Sequence, residues 1–256
     1  MRRVIGVLRH PRRTMTEVVG HPTFATAWVG VLAVLALCAL ALLSTSVGRQ
    51  ALVDERVRVI EALGGRVDDV AYTALQANPP WLVYFTSGGR LLLTPEITLL
   101  VAAGLMALAA LDGVKVRYGV ALAVTVHASA VLALQQVVAT PVHFVRESLT
   151  SPMTIAGRLP MLEEGSVAAG IFGSIDIFGL WWIWLLSVGL AAATERPAPL
   201  DDDRPSTSLE TTLSSSKGRG SPERSRRARR YLVRLLMAYV GVAALVAAVF
   251  AVLGAR

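Results

Sequence analysis

One cysteine, four histidines and a charged fraction of only 17% leave this sequence short of what thiol, metal or hydrolytic chemistry requires. Cys38 cannot form a disulfide within one chain or build a thiolate metal cluster, and it reads as a small packing residue inside an apolar run. There is no HExxH, GxSxG, phosphate loop or CxxC, so neither catalysis nor a bound cofactor or metal is expected. The formal charge of +7 does not point to nucleic acid, because the arginines flank apolar runs and do not gather with interleaved aromatics. Arginine greatly outnumbers lysine and alanine is abundant, as in a GC-rich bacterial genome.

What is present in quantity is apolar sequence. At 54% hydrophobic residues, with several runs of about 20, the chain reads as all-α and polytopic, a bundle of five transmembrane helices with amphipathic interfacial helices. The spans are placed at Ala25 to Val47, Thr94 to Leu111, Tyr118 to Ala139, Ser174 to Ala193 and Tyr231 to Leu253. The first is too long for the h-region of a cleaved signal and ends without a small-residue cleavage site. Arg2, Arg3, Arg9, Arg12 and Arg13, then Lys115 and Arg117, then RSRRARR at 224–230 fall on one side, predicting the N-terminus inside and the C-terminus outside.

Four regions follow. Residues 1–22 form a cytoplasmic amphipathic segment, with Val4, Leu8, Met15 and Val18 at helical spacing around Pro11, read as lying on the membrane surface. Residues 23–193 form a membrane domain with spans one to four. Its outer loop, 48–93, contains a stripe of Val53, Val57, Ile60 and Leu63, an Asp54–Arg58 pairing, a stop at Gly64-Gly65, and PPWLVYF at 79–85 with the Trp and Tyr of an interfacial belt. Residues 194–230 read as a disordered Arg/Ser-rich cytoplasmic linker, and 231–256 as the fifth span with a short outer tail. In the linker's basic arm, Arg224, Arg226, Arg227, Arg229 and Arg230 are candidates for contact with anionic lipid, or a positive flank that fixes the last span.

Polar groups inside spans are functional candidates by default, and Glu96, His127, Gln135, Gln136 and Asp176 form the candidate intramembrane site. Thr94 and Ser174 are placed to cap helices in which Glu96 and Asp176 occupy the first turn, favoured by the helix dipole. The alternative is a cation or proton site, since both acids and Gln135 and Gln136 share one level toward the outer side. His127, about 14 Å into span three, lies near the midplane and about 12 Å from Gln135. It reads as a neutral histidine bonded to a neighbouring helix, or as a proton group. Span three is expected to be enclosed, because His127 and Gln136 lie on opposite sides of it. Arg234 is expected to snorkel to the cytoplasmic surface, and Ala103 with Ala107 and Ala243 with Ala247 to permit close helix contact.

At SIDIFGLWWIWLLSVGLAAAT, residues 174–194, the chain resembles the Yip family of Ypt/Rab-interacting five-span membrane proteins, with Ser174, Asp176, Phe178 and Trp181 matching the fourth-span pattern. HPRRTMTEVVGHPTF, where Pro11 and Pro22 bracket a short helix before the first span, is similar to bacterial members. The resemblance implies five spans, an inside N-terminus and, in eukaryotic members, a part in membrane traffic through Rab-type GTPases. For bacterial members it implies a fold. The expectation is a non-enzymatic integral protein of a bacterial inner membrane that organises the membrane or engages protein partners in it. The alternative is a transporter or channel component with a polar outer-side site between spans two, three and four. The bilayer is the one partner the sequence names. Ligand, protein partner and oligomeric state are not written in it.

Overall fold

Pro11 cannot continue a preceding helix but fits the first turn of a new one, and it divides the N-terminal segment into α1 (Arg2–Arg9) and α2 (Pro11–Gly20). The computed structural model of the protein describes residues 2–77, 80–149, 154, 173, 175–195 and 222–254. The further helices are α3 (Ala25–Leu43), α4 (Ser46–Ala62), α5 (Asp69–Gln76), α6 (Pro80–Leu111), α7 (Tyr118–Ala128), α8 (Ala130–Arg146), α9 (Ile177–Glu195) and α10 (Pro222–Gly254). Among the described residues five stretches are long and apolar enough to cross a membrane: α3, the 93–111 part of α6, α7 with α8, α9, and the 223–248 part of α10. The protein is all-α and polytopic.

Its centre is the third span packed against α9. Their apolar windows are 61% and 67% buried, against 22%, 22% and 17% for α3, α6 and α10, which therefore form the rim. Every residue from Ala121 to Val131 is buried, so span three is enclosed as expected. Lipid tails are as apolar as leucine, so close packing has to hold such helices together. One close approach is at Gly189 on α9, where an added Cβ would collide with Val124 Cγ1 of α7.

The N-terminal helices are built into this core. Val7, Met15 and Val18 are fully buried, and α2 packs along α7 and α9 while α3 lies mainly along α8. The amphipathic face predicted to meet lipid meets protein instead, against α7 and α9. Arg3 closes the α1–α2 hairpin through the His21 carbonyl at 3.0 Å and the Thr23 hydroxyl at 3.1 Å.

Residues 48–93 are largely helical. Thr45 caps α4 by accepting the Gly48 amide at 3.0 Å, and Arg49 donates to the Leu43 and Ser44 carbonyls at the end of α3. The predicted stripe on α4 holds at Val53, which is buried, but Ile60 and Leu63 are exposed. Arg58 pairs with Glu55 at 2.6 Å. Asp54 accepts from Tyr72 at 2.8 Å and Gln50 at 3.2 Å, joining α5 to α4. The belt proposed at PPWLVYF falls on side chains outside the described residues, although the backbone of α6 starts at Pro80.

Two boundaries move. Pro95 lies inside α6, so the helix that Thr94 was expected to cap already began at Pro80. Where the surroundings are apolar, continuing the helix leaves fewer backbone groups unpaired than breaking it would. The last helix begins at Pro222, not Tyr231, with Glu223 in its first turn and an ion pair from Arg227 to Glu223 at 3.1 Å. Arginine is a good helix former, and these end effects extend the span into the basic arm. The rest of the proposed linker, residues 196–221, lies outside the described residues. On α6 the buried small residues are Ala102 and Ala109, whereas Ala107 is exposed. On α10 both Ala243 and Ala247 are buried.

Candidate functional site

Asp176 is the N-cap of α9. Its Oδ1 accepts the Gly179 amide at 2.6 Å and its carbonyl accepts the Leu180 amide at 3.1 Å, the pattern of a cap residue bonding the third helical position. The cap therefore sits two residues later than the one expected from Ser174, which lies outside the described residues. The second oxygen, Oδ2, accepts from Gln135 Nε2 of α8 at 2.8 Å. The Asp176 backbone pairs antiparallel with Thr154. Gly179 opens room on the same side: a Cβ there would lie 3.3 Å from the Tyr239 hydroxyl of α10 and 3.4 Å from Asp176 Oδ1. One carboxylate thus stands where α8, α9 and α10 meet.

The other candidates do not join this cluster. Gln136 is half-buried next to Gln135, and its carbonyl accepts the Thr140 hydroxyl at 2.7 Å. Glu96 is exposed in the middle of α6 and makes no hydrogen bond or ion pair among the described residues. Its first-turn position disappears with the helix boundary at Thr94. His127 is buried, and its Nδ1 lies 2.8 Å from the Ala123 carbonyl. A carbonyl only accepts, so Nδ1 carries the proton. The partner is a carbonyl of its own helix, one turn back, not a neighbouring helix. Thr125 and Ser129 bond back in the same way, to Ala121 at 2.9 Å and Thr125 at 2.9 Å, which bends the chain where α7 passes into α8. Trp181, Trp182 and Trp184 pack partly buried against the core.

A second polar cluster, absent from the expectations, occupies the opposite end, where α2 and the α6–α7 turn lie. Arg224 at the start of α10 pairs with Glu195 at the end of α9 and donates to Thr16 of α2 at 3.2 Å. Two turns on, buried Tyr231 directs its hydroxyl at Thr194 and Asp112. Arg234 meets Asp112 at 2.7 Å. The hydrogen bond from Arg234 holds the Asp112 carboxyl below the usual carboxylate range, against an opposing effect of desolvation. Arg234, expected to snorkel into water, is thus tied to the end of α6. The signal was present in the sequence: Asp112 follows span two and Arg234 lies in span five at the same predicted level.

Chemically, the Asp176 cluster binds helices to one another, and so does the Asp112–Arg234 and Glu195–Arg224 cluster. Comparison with known proteins adds one finding. The model of the Yip1 domain matches residues 5–199, from α1 to just past α9. No curated protein and no solved structure matches the chain.

Proposed function

The chain belongs to the Yip1 domain family, and from that membership we propose that it is a non-enzymatic integral membrane protein that organises the bilayer around it or engages protein partners within it. The observation that carries this reading is the use made of Asp176. Both of its oxygens are engaged, by Gly179 and by Gln135, in bonds that fix helix ends. An intramembrane carboxylate used in this way supports a structural part, and with it a protein that works through its surfaces. Those surfaces are broad: Val29 and Leu37 on α3 and Leu100 on α6 are more than half exposed.

The same reading places the four regions, 1–22, 23–193, 194–230 and 231–256, in a bacterial inner membrane with the N-terminus inside. The support is the gathering of arginines at one end of the bundle and the arginine- and alanine-rich composition.

The test is photo-crosslinking in native membranes from Val29, Leu37 and Leu100, one position at a time. Discrete protein adducts that depend on the position are expected. Lipid adducts alone at all three, with an unchanged membrane phenotype on deletion, would remove the reading. Proton or cation flux through reconstituted protein that is lost in Asp176→Asn while the fold is kept would replace it with a transport role.

A further inference from the structure

The helix from Pro222 sorts the five arginines of the basic arm by face. At about 100° per residue, Arg224, Arg227, Tyr231 and Arg234 fall on the side turned to the bundle or its flank, and there they meet Glu195, Glu223, Thr194 and Asp112. Arg226, Arg229 and Arg230 fall together on the other side, exposed and without a carboxylate partner among the described residues. Arg230 still lies close enough to Asp112 to lower its carboxyl, which brings this face beside the α6–α7 turn with exposed Lys115 and Arg117. Among the described residues the acids of this end are already paired: Glu17 with Arg13, Asp112 with Arg234, Glu195 with Arg224 and Glu223 with Arg227. What is left without an ion-pair partner at this end, among the described residues, is cationic.

The kind of partner follows from what lies below. The same face continues down α10 through Val233, Met237 and Val240, which are 47%, 63% and 41% exposed. With 33 residues the helix is about 50 Å long, well beyond a hydrocarbon thickness of about 30 Å, so the turns before Tyr231 stand at the level of lipid headgroups. One stripe thus presents guanidinium groups at headgroup height and an apolar track of about 15 Å from Arg230 to Val240. An amphiphile with a charged head and an apolar tail matches both parts. A soluble phosphate or an acidic protein matches only the first.

We propose that Arg226, Arg229 and Arg230, flanked by Lys115 and Arg117, bind the headgroup of an anionic phospholipid whose acyl chain lies along Val233, Met237 and Val240. Planar guanidinium forks suit phosphate oxygens. The site is independent of any protein partner, so it stands or falls apart from the reading above.

The test uses the full chain reconstituted in phosphatidylcholine bilayers with trace spin-labelled phosphatidylglycerol or spin-labelled phosphatidylcholine, reading the motionally restricted fraction as a relative association constant. The parent is expected to prefer phosphatidylglycerol severalfold at low salt, with each arginine contributing up to about fivefold. R226Q/R229Q/R230Q is expected to bring the ratio near one with unchanged helix content, and R226K/R229K/R230K to keep most of the preference. Equal association in the parent, or a preference untouched by the triple Gln change, overturns the proposal. So does displacement of the labelled lipid by inorganic phosphate beyond that by chloride at equal ionic strength, which would mark a soluble-phosphate site.

Discussion

Gln135 and Asp176, 41 residues apart in the chain, are joined at 2.8 Å by the amide of one and the carboxylate of the other. The carboxylate simultaneously caps α9, so the two roles separate by substitution. Asp176→Ala removes both and is expected to destabilise the protein by about 1–3 kcal/mol, the range of a lost cap with a polar partner left unpaired. Asp176→Asn keeps a capping oxygen and is expected to cost less than half as much. Urea unfolding in mild detergent, followed by far-UV dichroism, checks the order. Equal losses for the two variants would mean that capping is not what the residue contributes.

Gly189 and Val124 make a second pair. Gly189→Ala forces a methyl into Val124 and is expected to destabilise by about 1–3 kcal/mol, as overpacking does in a tight core. Adding Val124→Ala should recover part of the loss. A double variant no more stable than Gly189→Ala alone would count against direct contact between α7 and α9 at this point.

Asp112 gives a pH dependence. Its folded carboxyl is held below its unfolded value, first by Arg234. A depressed carboxyl contributes stability in full above the unfolded value of about 4 and loses it as pH falls through the folded value. The gap in thermal midpoint between the parent and Asp112→Asn is therefore expected to be open at neutral pH and to close in acid below about pH 4. A gap independent of pH would show that charge has no part in this contact.

Tyr72 carries the opposite sign. Its hydroxyl bonds Asp54, and that bond, with desolvation and the carboxylate's charge, raises its pKa above the ordinary phenol value. The contribution is complete below about pH 10 and lost as pH rises through the folded value. Phenolate absorbance of the parent minus that of Tyr72→Phe should give a curve with its midpoint above about 10, and Asp54→Asn should move it down. A midpoint at or below the ordinary value would mean that α5 is not held to α4 by this bond.

The five spans were legible because each is an apolar run of the required length, and lipid leaves the backbone no alternative to helix. The family was legible at Ser174, Asp176, Phe178 and Trp181, and the matched region includes them. Helix ends were harder to read. Pro95 looked like a start because proline suits a first turn, yet the turns before it were helical too. RSRRARR looked disordered because it has no apolar period, but Arg227 pairs with Glu223 one turn back on the helix and Arg224 with Glu195, a partner that only the fold brings near. Of the five candidate site residues, Asp176 and Gln135 are bonded to each other, Gln136 sits beside them, and Glu96 and His127 bond to none of these. Axial level can be counted along a sequence, whereas the facing of rim helices such as α6 depends on contacts that have no periodic signature.

The burial of α1 and α2 has a consequence for biogenesis. Val7, Met15 and Val18 leave the ribosome well before the surfaces that cover them, which belong to α7, α8 and α9. Synthesis runs at about 5–20 residues per second, so the opening segment waits on the order of ten seconds for the fourth span to be made. During that interval its apolar face is an unfilled binding surface beside the first span. A segment made before every span is thus packed only after the fourth, and closure of the α1–α2 hairpin against the later spans marks the completed domain.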